Sequence, residues 1–285
     1  MSTRISSIAR RALLVAACGA ALPQTAAPAD TLAKVAASKS ITLGVRRMPR
    51  PARTSTARAS RLASLGRCAR PSCSSSAELK TPVAVKFEPV SLGHSFELLR
   101  QRRIDLHCGS TANTAERARQ VDFSNTFFVS RVVAAHRQQD AKYASARELG
   151  RTGVLQGSTP QTLMQTYVAK KASTLALGTV RVLASYDEGA KLLKSGAIDT
   201  LVADELLIPR DPAIAQRREQ LTVEPYALVM RKGDKAFVDA VNRALDKVVR
   251  GPQGKQLAEG DGVKVDHMKV DAWRNPNKQP APPVL

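Results

Sequence analysis

Residues Arg103–Thr126 read RIDLHCGSTANTAERARQVDFSNT. Ile104-Asp105-Leu106 reads as the end of a strand. Cys108-Gly109-Ser110-Thr111 is a tight loop of small residues, in which Gly109 is free to take backbone angles closed to other residues. Asn113-Thr114-Ala115-Glu116-Arg117 then opens a helix, with Asn113 as N-cap and Glu116 placed to close a capping box. Strand, loop and helix in that order aim free backbone N–H groups and the positive end of a helix at whatever lies above the loop. Arg117, in the first turn, adds a planar fork of donors suited to a carboxylate. Together these groups describe a site for a small anion that carries polar groups of its own. An ordinary strand–turn–helix with a surface arginine accounts for the same pattern, so spacing alone does not decide.

The residues themselves go further. Gly109-Ser110-Thr111, then Thr114-Ala115-Glu116-Arg117-Ala118 and Val121-Asp122-Phe123-Ser124, resemble the signature of the bacterial extracellular solute-binding proteins of family 3, the polar amino-acid receptors of ABC importers. GST-x-N-T-x-ER followed by VDFSNT is most similar to the glutamate/aspartate-binding branch. The likeness runs from about Ile41 to Gly251. It implies an α/β, two-lobed fold of the type II periplasmic-binding-protein kind, with two crossover strands joining the lobes and a ligand cleft between them. It also implies that Arg117 and one or both of the chain's small-residue loops hold the ligand's α-carboxylate.

Working outward, Thr31–Ser38 reads as a short leading helix and Ile41–Arg46 as a first strand. In acidic-amino-acid binders of the family an Arg commonly contacts the ligand just past this strand, and Arg46 matches that place; an unpaired surface arginine fits equally well. Val83, Val85 and Phe87 alternate with Ala84, Lys86 and Glu88, as in a strand with one buried face. Phe96, Leu98 and Leu99 mark a short helix, and Phe127–Ala135 a strand crossing to the second lobe. The family's Gly-Thr at the start of that strand is absent here, where Ser130-Arg131 runs straight into Val132-Val133.

The second lobe should begin with a loop and a helix around Ala146–Leu149. Val154-Leu155 then enters a second small-residue loop, Gln156-Gly157-Ser158-Thr159-Pro160, ahead of a helix through Leu163, Met164 and Tyr167. The resemblance favours ligand contact by Ser158 and Thr159; a capped turn with Pro near the first helical position is the competing reading. Val180–Ala184 reads as a strand and Tyr186–Gly189 as a turn. The family's acidic-amino-acid binders tend to carry a His where Glu188 stands, and a carboxylate there would repel an acidic side chain. Lys191–Asp199 echoes Glu97–Asp105, each a helix end leading into Ile-Asp and then a strand, which implies two similarly built lobes with sites at strand carboxyl ends. Asp204 closes the second of these strands and matches the family's ammonium-holding Asp; a helix N-cap is its alternative role. Tyr226–Met230 resembles the return crossover, and Asp234 caps a helix through Phe237, Val238, Val241, Leu245 and Val248.

Composition bounds the function. The 285 residues are 43% hydrophobic, enough for a sizeable core in one or two domains. The formal charge of +20 would ordinarily point to nucleic acid or an anionic surface. Yet residues 1–29 and 46–76 hold eleven Arg and no acid, and without them the charge falls to +9. Residues 1–29 read as an export signal, with basic Arg4, Arg10 and Arg11, an apolar Ala12–Leu22 stretch and an Ala27-Pro28-Ala29 cleavage site. Val15-Ala16-Ala17-Cys18 also resembles a lipobox. The Arg/Ser/Pro-rich run Arg46–Ser76 shows no helical or strand periodicity, where the family has a ligand-stacking aromatic, a hairpin and an amphipathic helix. It reads as a segment translated out of frame, leaving the first lobe loosely folded and amino-acid binding weak or absent. An export compartment permits one disulfide among Cys68, Cys73 and Cys108, with the pairing left open.

These readings converge on a periplasmic, monomeric receptor that captures a polar, on this branch acidic, amino acid for an inner-membrane ABC permease. No cofactor, metal or nucleic acid is expected. Lobe 1 spans residues 30–130 and 228–274, lobe 2 residues 131–227, and 275–285 form a mobile tail. The expected ligand contacts are Arg46, Gly109, Ser110, Thr111, Arg117, Ser158, Thr159 and Asp204. A dehydratase-like periplasmic enzyme of the same fold and a basic surface- or nucleic-acid-binding protein are the alternatives.

Overall fold

The computed structural model describes residues 30–46, 83–144, 147–170 and 176–250. The export signal, the Arg-rich run beyond Arg46 with Cys68 and Cys73, and the tail lie outside the described residues.

Two mixed sheets organise the chain. The first contains β1 (Ser40–Arg46), β2 (Ala84–Val90), β3 (Leu106–Cys108), β4 (Val121–Phe123) and β11 (Val229–Arg231), in the order β2-β1-β3-β11-β4. Its first three strands are parallel, and β11 returns antiparallel to β3 and β4. Helices α1 (Thr31–Ser38) and α6 (Lys235–Arg250) cover one face through Val35, Phe237, Val238, Val241 and Leu245. Helix α2 (Leu92–Arg100) covers the other, where Leu99 packs with Val90, Ile104 and Phe123. Asp30 caps α1 by accepting from Ala33 N at 2.9 Å. Asp234 caps α6 while also accepting from Thr31 N at 3.0 Å, which ties the two helices together.

The second sheet holds β5 (Phe128–Arg137), β6 (Glu148–Leu155), β7 (Ala176–Leu183), β8 (Thr200–Asp204) and β10 (Thr222–Tyr226), in the order β10-β5-β8-β6-β7, with β9 (Ile214–Gln216) also paired to β5. Successive residues of β5 point to opposite faces, as a strand requires. Val132 and Ala134 join the core under α4 (Thr159–Lys170), with Leu163 and Met164; Val133 and Ala135 join the core under α5 (Tyr186–Lys194), with Leu193. Both faces are therefore covered by helices. β5 and the β10–β11 segment are the two crossings between sheets, so the chain has the α/β, two-lobed type II architecture.

The sequence echo is real. Helices α2 and α5 each end just before an Ile-Asp pair and a sheet strand. The two aspartates do equivalent structural work. Asp105 is buried, accepting from Thr42 N at 2.8 Å and pairing with Lys34. Asp199 is buried, accepting from Arg151 N at 2.9 Å and from its guanidinium.

Several local expectations are overturned. Ala146 lies outside the described residues; residues 148–149 begin strand β6, and the described stretch just before it holds a 3-10 turn at Ala141–Ala144. Tyr186–Gly189 is the first turn of α5, because the Ser185 hydroxyl accepts from Glu188 N at 3.1 Å and nucleates the helix. The helix after the central loop, α3 (Ala115–Ala118), has only four residues, and its N-cap is Thr114, one residue past Asn113. So short a helix adds little dipole above the loop. The face expected to bury Val83, Val85 and Phe87 does so fully only at Val83, whereas Phe87 is 45% exposed; β2 is an edge strand, away from the centre that α1 and α6 cover. Among the described residues, no helix is long and apolar enough to cross a membrane.

Candidate functional site

Parallel strands of both sheets end at one cleft, the place where open α/β sheets present their ligands. Arg46 ends β1, the Gly109–Ala112 loop follows β3, the Gly157–Pro160 loop follows β6, and Asp204 ends β8. Of the sequence-expected residues, Arg46, Ser110, Arg117, Ser158, Thr159 and Asp204 line this cleft. Gly109 and Thr111 lie behind it. Thr111 is fully buried, with its hydroxyl 3.1 Å from His107 Nε2. Gly109 does not adopt a positive φ. It is glycine because a Cβ there would lie 2.9 Å from His107 Nε2. The loop that needs glycine's backbone freedom is the second one, where Gly157 has φ +71°.

Arg117 is held from both sides. Its Nη1 donates to Ala112 O at 3.0 Å, within the central loop. Its Nη2 donates to Gly157 O at 2.9 Å, across the cleft. The loop is itself strapped to the return crossing, with Ala227 N donating to Thr111 O at 3.1 Å and Asn113 N to Pro225 O at 2.9 Å. The guanidinium therefore sits on a rigid mount at the seam between lobes. In the second loop, the Ser158 hydroxyl donates to Leu155 O at 2.6 Å and accepts from Gln161 N at 3.3 Å, serving the start of α4.

The acidic wall comes from β8 and β10. Asp204 is buried, accepting from Leu206 N at 2.9 Å through Oδ1 and from the Tyr226 hydroxyl through Oδ2. No helix directly follows Asp204, so the N-cap alternative is not realised: the Leu206 bond closes a turn, and the carboxyl lines the cleft. Burial pushes its pKa up to about 7, against the Tyr226 and Leu206 hydrogen bonds that hold it down. Glu224 is buried beside it and also raised by burial; Thr159 Oγ1 donates to it at 2.8 Å and Thr222 Oγ1 at 2.7 Å. Burial pushes the Tyr186 hydroxyl up to about 12 and the Tyr226 hydroxyl well above its ordinary value, so both are neutral. His107 is driven down to about 3, by burial first and then by Arg46 and Arg117. It is a neutral core histidine, not a titrating cleft group. Arg46 lines the cleft with its Nη1 buried and without an acceptor.

Two acidic side chains change places relative to the sequence reading. Glu188 does not line the cleft. Its Oε2 accepts at 2.9 Å from the N–H of Ala184, the residue before the Ser185 cap, so it is engaged at the start of α5. The repulsion expected from it is therefore absent. The carboxylate that lines the cleft besides Asp204 is Glu224, which the sequence reading missed along with Tyr186 and Tyr226. A signal was available. Extending the return strand back from Tyr226 by one period of two puts Glu224 on the same face.

The description of the bacterial extracellular solute-binding proteins, family 3, matches residues 75–259. The chain is 26% identical over 215 residues to the L-glutamate/L-aspartate-binding protein of Pseudomonas aeruginosa, covering 72% of this chain and 65% of that one. It is 24% identical over 180 residues to the glutamate/aspartate import solute-binding protein of Escherichia coli, covering 59% and 58%. It thus spans less than two thirds of the length of either relative. An ABC uptake transporter substrate-binding protein from Streptococcus pneumoniae with bound histidine superposes with a TM-score of 0.65 at 17% identity, covering 81% of this chain and 96% of that one. The ancestral amino acid-binding protein AncCDT-1, a precursor of cyclohexadienyl dehydratase, superposes at 0.63 and 20% identity, covering 81% and 99%. With the family description matching well over half of its length, on a two-lobed fold with a charged cleft at the strand ends, the chain belongs to the bacterial extracellular solute-binding proteins, family 3.

Proposed function

We propose that this protein captures an amino acid, an acidic one foremost, outside the cytoplasm and delivers it to an ABC permease of the inner membrane. One observation carries the reading: Arg117, on the short helix after the first sheet's central loop, and Asp204, at the end of a strand of the second sheet, line the same cleft. A zwitterion can be buried only when each charge is paired and hydrogen-bonded. Arg117 supplies the partner for the α-carboxylate and Asp204 the partner for the α-ammonium. The buried Nη1 of Arg46 is the remaining donor, suited to a side-chain carboxylate. The relatives named for glutamate and aspartate support that choice. The cavity is only about 20 Å³, on the scale of one water. Ligand uptake therefore requires hinge opening that breaks the Arg117–Gly157 contact, followed by closure over the amino acid.

A thermal-shift screen with the twenty amino acids tests the ligand, because binding raises the midpoint by mass action. Calorimetry on Arg117→Ala tests the site. Losing two charge-assisted hydrogen bonds should cost roughly 3 kcal/mol, about a hundredfold in affinity. A variant that binds as tightly as the parent would sink the assignment. A second reading, a periplasmic enzyme of the same fold, is favoured by one observation. A carboxyl ionising at about 7 in a cleft is suited to general acid–base work. Turnover of a bound amino-acid precursor, rather than its recovery unchanged, would decide for it.

A further inference from the structure

Strand β10 brings into the cleft a carboxyl group that the reading above leaves without a task. Glu224 is 4% exposed, and each of its oxygens already accepts one hydrogen bond, Oε1 from Thr222 and Oε2 from Thr159. An ionised carboxylate has about four acceptor sites, so two remain open. The nearest positive group is not spent on it. Arg117 attracts Glu224, but its amino groups bond the carbonyls of Ala112 and Gly157. Tyr226, on the same face of β10, donates its hydroxyl to Asp204. Glu224 and Asp204 are therefore neighbours on the acidic wall, and the charge of Glu224 is among the influences that raise Asp204. Tyr186 and Tyr226 face the pair as neutral hydroxyls, and Arg117 faces it as a cation.

Arg46 and Arg117 line the same cleft, yet among the described residues the donors bonded to Asp204 and Glu224 are neutral hydroxyls and a backbone N–H, with no cation hydrogen-bonded to either. An ammonium group, with three N–H donors, needs more acceptors than Asp204 has open after Leu206 and Tyr226 are served. We propose that the ligand's ammonium is shared between Asp204 and Glu224, which makes Glu224 a specificity-determining residue that selects amines. This rests on the amino-acid reading above and extends it. A ligand of the same skeleton without the amine would leave both buried carboxyls without a cation bonded to them, and the cleft should reject it.

The test is calorimetric titration of the parent and of Glu224→Gln with L-glutamate and with 2-oxoglutarate, its keto-acid counterpart. Glutamine keeps the shape and the hydroxyl contacts and removes the charge. The parent should favour L-glutamate over 2-oxoglutarate by about a hundredfold or more, the scale of one charged contact. The variant should lose about tenfold or more on L-glutamate and hold or gain affinity for 2-oxoglutarate, which also reports that its cleft is folded. The same preference ratio in both proteins overturns the proposal while leaving the proposed function standing. A parent that does not bind L-glutamate at all overturns both.

Discussion

Asp204→Asn should make the empty protein more stable, and only where the wild-type carboxyl would be ionised. Asp204 ionises at about 7 in the fold against an ordinary value of 3.8. Because the folded value is raised, the unfolded chain gives up its proton first as pH increases. The wild type therefore loses stability progressively between those two values and no further above the higher one. The gap of roughly three pH units corresponds to about 4 kcal/mol at neutral pH and above. That is a large share of the roughly 5–15 kcal/mol by which a domain is stable. Asparagine preserves the geometry, since its oxygen can accept from Leu206 N and its amide can donate to the Tyr226 oxygen. Urea melts of both proteins, taken from about pH 4 to about pH 8, should coincide at the acid end and separate as pH rises. A ligand ammonium that pairs with Asp204 would offset the same cost, so the strain of the empty cleft is what favours occupancy. Parallel curves with a pH-independent difference, or a wild type that gains on the variant at high pH, would refute the reasoning.

Two further outcomes concern the scaffold. Gly109→Ala should destabilise by roughly 1–3 kcal/mol, because the new methyl lies 2.9 Å from the buried His107 ring; an unchanged denaturation midpoint would mean that the ring can move aside. Asp199 is held down to about 2, chiefly by the Arg151 hydrogen bond. It therefore supports the fold above its ordinary 3.8 and loses that contribution as pH falls toward about 2. Asp199→Asn should be less stable at neutral pH by at most about 2 kcal/mol, and the difference should vanish in acid; a deficit that persists there would assign it to packing instead.

The sequence by itself determined what is local. Helix α1, the two small-residue loops, the paired helix–Ile-Asp–strand units and the amphipathic run of α6 were all legible, because spacing and capping chemistry act over a few residues. So were Arg117 and Asp204, since a strand end or first turn fixes where a residue stands along the chain. Only the tertiary structure decided where side chains turn and what meets across the cleft. Glu188 and Glu224 are both acids near expected ligand positions, yet one bonds the backbone just ahead of a helix and the other lines the site. Thr111 and Ser110 are neighbours in one loop, but the Thr111 hydroxyl is drawn inward by His107 while Ser110 lines the cleft. Gly109 looked like a turn glycine and proved to be a matter of room beside a buried ring. Each of these outcomes depends on groups far away in sequence. Glu224 stands more than a hundred residues from Arg117, and no local period can bring a carboxylate on the return strand to face a guanidinium on the first lobe.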